Sequence, residues 1–275
     1  MCFEQFLLTD ENRKKLRTLE LIFCSIEKIW SLKENMVIEV GSCNHEEADT
    51  KIVLFACQSC NNVVAVATDC DVLVLMVTLY ATTRPKNQWQ MKYQSDKFAN
   101  ISDICATLGY DVAKYTIHFH GISGCDDVSY FYRKGKVSPF KKAINNGHLD
   151  LLAGLGQELI LSRENIDKCK EFIRSVIYQG NPNESYVQTR MNLYDKQSPK
   201  NKTMMTIPPD EDSCTQHILR CHHRVYIWTR CNQSIIPTID KFKNGWKLSE
   251  DGMIVPVWYK GPQLPPSCKK TFRKK

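Results

Sequence analysis

No stretch of 18 apolar residues occurs anywhere in the 275-residue sequence, so no helical membrane span is expected. The opening Met1-Cys2-Phe3-Glu4-Gln5-Phe6-Leu7-Leu8 has neither a basic leader nor a long apolar stretch, and it does not read as a secretory signal. No internal repeat is present, which argues against an array of stacked units. There are 13 cysteines, yet without a signal they read as reduced thiols in a reducing, intracellular compartment. Cys57-Gln58-Ser59-Cys60 has finger-like spacing, and Cys214, His217 and Cys221 fall on one helical face with His222, His223 and Cys231 nearby. No second cysteine pair stands at a standard distance, so buried thiols are favoured over structural zinc. Cys125 has His118 and His120 close in sequence but no identifiable base and orienter, which disfavours a nucleophilic role.

What is present is enough for a packed domain: 43% of residues are hydrophobic and 24% charged. The net charge of +7 is unevenly spread. Lys269, Lys270, Arg273, Lys274 and Lys275 crowd the tail, and Arg133, Lys134, Lys136, Lys141 and Lys142 form a second cluster. Such a belt suits a polyanion, although a solubilising surface would carry the same charges.

The hydrophobic pattern predicts an amphipathic helix over residues 11–30, a strand over residues 36–40 closed by Gly41, and a helix capped by Asn44. The continuous apolar run Val63-Val64-Ala65-Val66-Ala67 predicts a strand buried on both faces, followed by a helix over Val72–Leu79. Residues 89–94 alternate as an edge strand, and residues 101–108 form a helix ended by Gly109. Tyr115–Ile122 fits either a strand or a helix. Asp127–Asn145 reads as two short helices hinged at Gly135. Further on, helices are expected at residues 149–161, 164–178 (capped by Ser162) and 214–229, with residues 181–212 a polar loop.

Three acidic motifs punctuate residues 45–127: His45-Glu46-Glu47-Ala48-Asp49-Thr50, Thr68-Asp69-Cys70-Asp71-Val72-Leu73 and Gly124-Cys125-Asp126-Asp127. Adjacent carboxylates repel unless a positive charge lies between them, so the set suggests one site holding divalent cations. Taken singly, Glu46, Glu47 and Asp49 also suit the first turn of a helix, and Asp69 or Asp71 suits a cap. The strand before Asp69 and Asp71 would place both at its carboxyl end, where open α/β sheets bind ligands.

Order and spacing make the set resemble the flap endonuclease/XPG branch of the PIN-like nucleases. There, Glu-Ala-Glu opens a helix, Asp-x-Asp ends the next strand, and Gly-[Ser/Cys]-Asp begins a helix–two-turn–helix. Here Glu47-Ala48-Asp49 is similar to the first, Asp69-Cys70-Asp71 begins 20 residues past Asp49, and Asp126 lies 55 past Asp71. Phe131 and Gly135 fall where that family places an apolar residue and its hinge glycine. More narrowly, the wording of the motifs, with Ile207-Pro208-Pro209 and His217, His222 and His223 downstream, resembles a group of animal proteins similar to mobile-element-derived sequences.

The resemblance implies a PIN-like α/β domain over residues 36–147, with a mostly parallel sheet flanked by helices. Around it would lie an N-terminal helical segment (1–35) and a mainly helical region with a basic tail (148–275). It implies that Glu47, Asp49, Asp69, Asp71 and Asp126 are catalytic and hold two Mg²⁺ or Mn²⁺ ions, about 4 Å apart in two-metal logic. Glu47, Asp49 and Asp69 would serve the first ion, and Asp71 with Asp126 the second. Arg133, Lys134, Gly135, Lys136, Lys141 and Lys142 would grip branched or flapped duplex DNA, which implies a nuclear location. Two departures stand out: Asp49 replaces Glu, and the family's upstream Asp-bearing strands are not visible before Glu47. The domain therefore reads as N-terminally incomplete. A partner chain would supply the missing strand, or the chain would be a catalytically inactive nucleic-acid-binding or scaffold remnant.

Overall fold

The computed structural model describes residues 21–24, 29–33, 36–39, 43–95 and 97–261. The fold is mixed α/β and about half helical. The chain divides into two compact units, residues 1–108 with 230–237 and residues 109–229 with 238–275.

The first unit begins with an antiparallel meander of β1 (Leu21–Cys24), β2 (Ile29–Lys33) and β3 (Met36–Glu39). Phe23 lies opposite Trp30, and Trp30 opposite Glu39. This overturns the helix expected over the described part of residues 11–30; residues 11–20 lie outside the described residues. Ile22, Phe23, Ile29 and Trp30 are β-branched or aromatic and favour a pleated ladder, and short apolar runs fit both periods. Gly41 also lies outside the described residues.

Helix α1 (Ala48–Gln58) follows, and α2 (Cys70–Thr83) packs against it and against α3 (Ile101–Leu108). Between α1 and α2 runs β4 (Val63–Val66), which pairs in parallel with β5 (Trp89–Gln94). β5 in turn pairs antiparallel with β6 (Lys97–Asn100). The sheet is therefore small and mixed, not mostly parallel, and Trp89–Gln94 is its central strand instead of an edge. β4 takes the flank, so Val64 and Val66 are 51% and 73% exposed and only Ala65 is buried, against the expected burial on both faces. Trp89, Met91, Leu54, Leu75, Met76 and Ile101 form the core.

Asn44 does not cap α1. Its side chain takes the Ile236 N–H at 2.8 Å and gives an N–H to the Ile236 carbonyl at 2.8 Å. His45 Nε2 donates to the Gln233 carbonyl at 2.7 Å. These bonds attach residues 230–237 to the first unit, a contact of long sequence separation that no local pattern announces.

The second unit is mainly helical: α4 (Thr116–Ser123), α5 (Val137–Asn145), α6 (Arg163–Phe172), α7 (Tyr186–Asp195) and α8 (Glu211–Trp228). A hairpin of β7 (Trp246–Leu248) and β8 (Ile254–Pro256) follows. Tyr115–Ile122 thus resolves as a helix. Ser162 caps α6 as expected, accepting from Asn165 N at 3.2 Å. The helix expected over residues 149–161 is only a 3-10 turn, His148–Leu152, because Gly156 has φ 69° and sits against the backbone of Val225 and Tyr226. The expected loop 181–212 contains α7, whose cap Ser185 accepts from Gln188 N at 3.1 Å.

Helix α8 packs on α4 and α6. Gly121 allows the close approach of α4: a Cβ there would lie 2.9 Å from Val225 Cγ2. Across the seam His217 Nε2 donates to the Ile122 carbonyl at 2.9 Å, which makes Nδ1 the acceptor for the Ser129 hydroxyl at 3.0 Å. The Cys221 thiol donates to the Gly121 carbonyl at 3.3 Å.

Burial pushes His217 down to about 4, and does the same to His118 although the backbone of Lys114 and Leu155 pulls the other way. In the unfolded chain both would titrate near 6.5. Protons are then taken up by the unfolded chain but not by the native one as pH drops below that value. Stability should be full above pH 6.5 and fall towards pH 4, by ~1.4 kcal/mol per pH unit for each ring that stays neutral. Denaturant midpoints at pH 7 and pH 5 check this: His217→Gln should be less stable at pH 7 but lose less between the two.

Candidate functional site

The two acidic pairs of the first unit sit at two helix N-termini. Glu47 is the N-cap of α1, in an extended conformation, and Asp49 lies in the first turn. Glu47 makes no side-chain cap bond; its carbonyl accepts from Thr50 Oγ1 at 3.0 Å. Asp69 is the N-cap of α2, and its Oδ1 accepts from Asp71 N at 2.9 Å. Asp71 follows in that first turn, with the Cys70 thiol donating to its Oδ1 at 3.6 Å. Both helices point the positive end of their dipoles at carboxylates, which stabilises the charged form without any ion. Both pairs belong to one unit, on two helices that pack together.

No three of Glu47, Asp49, Asp69 and Asp71 bring ligand oxygens within 4.8 Å of one another among the described residues. A feature that the acidic pattern did not reveal is Lys51, buried and one turn beyond Glu47 on the same face of α1. Lys51 adds one positive charge within a turn of Glu47.

Asp126 belongs to the second unit and is exposed. It does not begin a helix. Cys125 and Val128 exchange both backbone hydrogen bonds, at 3.1 and 3.0 Å, so Asp126 and Asp127 form the tip of a tight turn. Asp127 is held by an ion pair to Arg224 of α8. Between this turn and Val137 the chain is irregular, so the expected helix–two-turn–helix is one helix, α5, preceded by a loop.

Glycine is needed in that loop at Gly124 and not at Gly135. Gly124 has φ 108°, and a Cβ there would lie 2.6 Å from the Tyr130 ring. Gly135 has open space around it and no left-handed φ; the left-handed residue nearby is Arg133, at φ 56°. Lys136 lies inside the loop: its ammonium donates to the Gly124 carbonyl at 2.6 Å and to His120 Nδ1 at 3.1 Å. It therefore closes the loop before it can meet a phosphate. Phe131 fills the core edge-on to Tyr178 and beside the His217 ring.

The surface is left to Tyr130, Tyr132, Arg133 and Lys141, all exposed, with Lys142 half-buried. Arg133 lies over the Tyr132 ring at 5.2 Å, and Lys136 over Tyr130 at 5.5 Å. Lys134 covers Tyr178 at 4.7 Å, and burial lowers its ammonium's pKa. Rings alternating with cations hold these guanidinium and ammonium groups in place. The string Tyr130-Phe131-Tyr132-Arg133-Lys134 is the signal for this arrangement in the sequence.

The described cysteines of the second unit, Cys125, Cys169, Cys214 and Cys221, are all buried. Cys169, Cys214 and Cys221 are buried and burial raises each thiol, Cys214 to about 12. Both His217 nitrogens are engaged as described. In the first unit, burial raises Cys57 to about 12.

Gly124→Ala should cost ~2 kcal/mol or more through the left-handed φ and the contact with Tyr130. Gly135→Ala should shift stability by no more than ~0.5 kcal/mol. Thermal unfolding of the two variants side by side checks this, and a reversed order would place the constraint of the loop elsewhere. No protein-family model, curated protein or solved structure matches this chain.

Proposed function

We propose that the chain is a divalent-metal-dependent, structure-specific nuclease of the PIN-like, flap-endonuclease type that hydrolyses phosphodiesters in DNA. The observation that carries the proposal is the pairing of Glu47/Asp49 and Asp69/Asp71 at the N-termini of two helices packed in one unit, with Asp69 and Asp71 following β4. The donor set fits Mg²⁺ or Mn²⁺: all four ligands are hard oxygens, and Asp69 uses only one oxygen in its cap, leaving the other available. A bound divalent ion would polarise the scissile phosphate and make a water nucleophilic at neutral pH. In this reading Glu47, Asp49, Asp69 and Asp71 supply oxygen ligands, and Asp69 also orients the turn that carries Asp71. Arg133, Lys141 and Lys142 hold the phosphate backbone without reading sequence.

A second reading is favoured by a specific observation, the failure of any three of those carboxylates to approach within 4.8 Å among the described residues. It makes the chain a catalytically inactive nucleic-acid-binding remnant of a mobile-element-derived protein.

Incubation of the chain with flapped DNA and Mg²⁺ or Mn²⁺, beside the double variant Asp69→Asn/Asp71→Asn, separates the two. Asparagine caps helices as well as aspartate, so the variant should stay folded. The nuclease reading expects product from the wild type, loss of about 100-fold or more in the variant on the scale of other catalytic electrostatic groups, and no product with chelator. Equal product from both proteins sinks it. Binding without cleavage, weakened by salt and by Arg133→Ala/Lys141→Ala/Lys142→Ala, selects the remnant.

A further inference from the structure

The C-terminal hairpin of the second unit carries a cleft that neither the acidic pairs nor the basic loop uses. Its volume is ≈ 480 Å³, within the ~300–1,000 Å³ of ligand clefts. Phe242, Trp246 and Tyr259 line it with rings, Leu248 adds an apolar edge, and Lys247 and Lys260 add charge. Phe242 is 50% exposed and Tyr259 44% exposed, so part of each side chain is open to solvent. Neither Lys247 nor Lys260 forms an ion pair among the described residues.

The frame of the cleft is fixed from behind by α8. Arg220, itself buried, donates to the Val257 carbonyl at 2.6 Å and to the Gly245 carbonyl at 3.4 Å. Its guanidinium also lies over the Trp258 ring at 5.3 Å. Asp212 Oδ2 accepts the backbone N–H of Lys260 and, at 2.8 Å, that of Gly261. Both strand ends are therefore tied to one helix. Asp212 is engaged with those amides, and Asp240 with Phe242 N at 2.9 Å and with Lys243 at 3.9 Å.

We propose that this cleft binds single-stranded nucleic acid, its rings stacking on one or two bases while Lys247 and Lys260 meet the adjoining phosphates. Aromatic faces accept any base and lysines track the backbone, so binding should be sequence-tolerant and salt-sensitive. The two lysines make the same ring set unfit for a quaternary ammonium, which would otherwise suit an aromatic cage. An acidic peptide would satisfy the lysines but leave the rings without stacking partners. The proposal stands apart from the nuclease reading, since it uses neither the carboxylates nor the loop at residues 124–142.

The test titrates the full-length chain into a fluorescently labelled oligothymidylate and follows anisotropy together with intrinsic tryptophan emission. Binding should quench tryptophan and weaken with salt. Phe242→Ala/Tyr259→Ala should weaken it about 10- to 100-fold, given the worth of one stacked base. Lys247→Gln/Lys260→Gln, on exposed strand and loop positions, should weaken it less and reduce the salt dependence. Arg133→Ala/Lys141→Ala/Lys142→Ala should leave the tryptophan quenching intact, which separates this cleft from the loop. Wild-type affinity in the aromatic double variant overturns the proposal. So does competition by polyglutamate as effective as that by unlabelled oligothymidylate, because that outcome would make the cleft a general anion site.

Discussion

Helix α8 is the constraint on which the second unit depends. It is 18 residues long, and several of its polar side chains are buried: Gln216, His217, Arg220, His222 and His223. Buried polar groups cost free energy unless satisfied. Here the satisfied ones each reach a different segment. His217 holds α4 through the Ile122 carbonyl, and His222 Nδ1 accepts the Gly156 N–H at 3.0 Å. Arg220 holds the hairpin and Arg224 holds the acidic turn at Asp127. One helix thus positions the loop at residues 124–136 and the aromatic cleft, with α4 brought close enough by Gly121. In the described part of the first unit, apolar packing of Trp89, Leu75, Met76 and Ile101 forms the core, and Asn44 and His45 tie residues 230–237 to it.

Much of the fold was legible where local signals were strong. Ser162 as a cap, Ile101–Leu108 as a helix before Gly109, and the strand–helix order around Asp69 all follow from patterns that span a single element. Two of the misreadings trace to contacts of long range. Val63–Ala67 has the composition of a central strand, yet its position in the sheet depends on β5 lying beyond it. Asn44 has the chemistry of a cap, yet Ile236, 192 residues away, takes both its amide groups. His217 and His222 of α8 meet a carbonyl and an amide of distant segments, partners that no local pattern announces.

For the candidate site, residue types were easier to read than their duties. The acidic residues do stand at helix starts, so dipole complementarity and metal binding both remain consistent with Glu47, Asp49, Asp69 and Asp71. Lys136 shows the opposite case. Its charge marked it for a phosphate, while its ammonium closes the loop on Gly124 and His120. Gly135 was given the role of a hinge that Gly124 and Arg133 fulfil between them, because spacing can locate a turn but cannot tell which residue in it carries the unusual φ.

The distribution of thiols has a practical consequence. All ten cysteines among the described residues are free, six of them buried, while Cys60 and Cys70 are exposed. Thiol reactivity follows the thiolate fraction and access. Burial keeps Cys169, Cys214 and Cys221 protonated and shielded, so an alkylating reagent added to the native protein would reach the surface sulfurs first. Modification of α8 would have to wait until that helix lifts away from α4 and α6. The rate of that slow phase is a built-in clock for the opening of the second unit, readable by mass as alkyl groups accumulate.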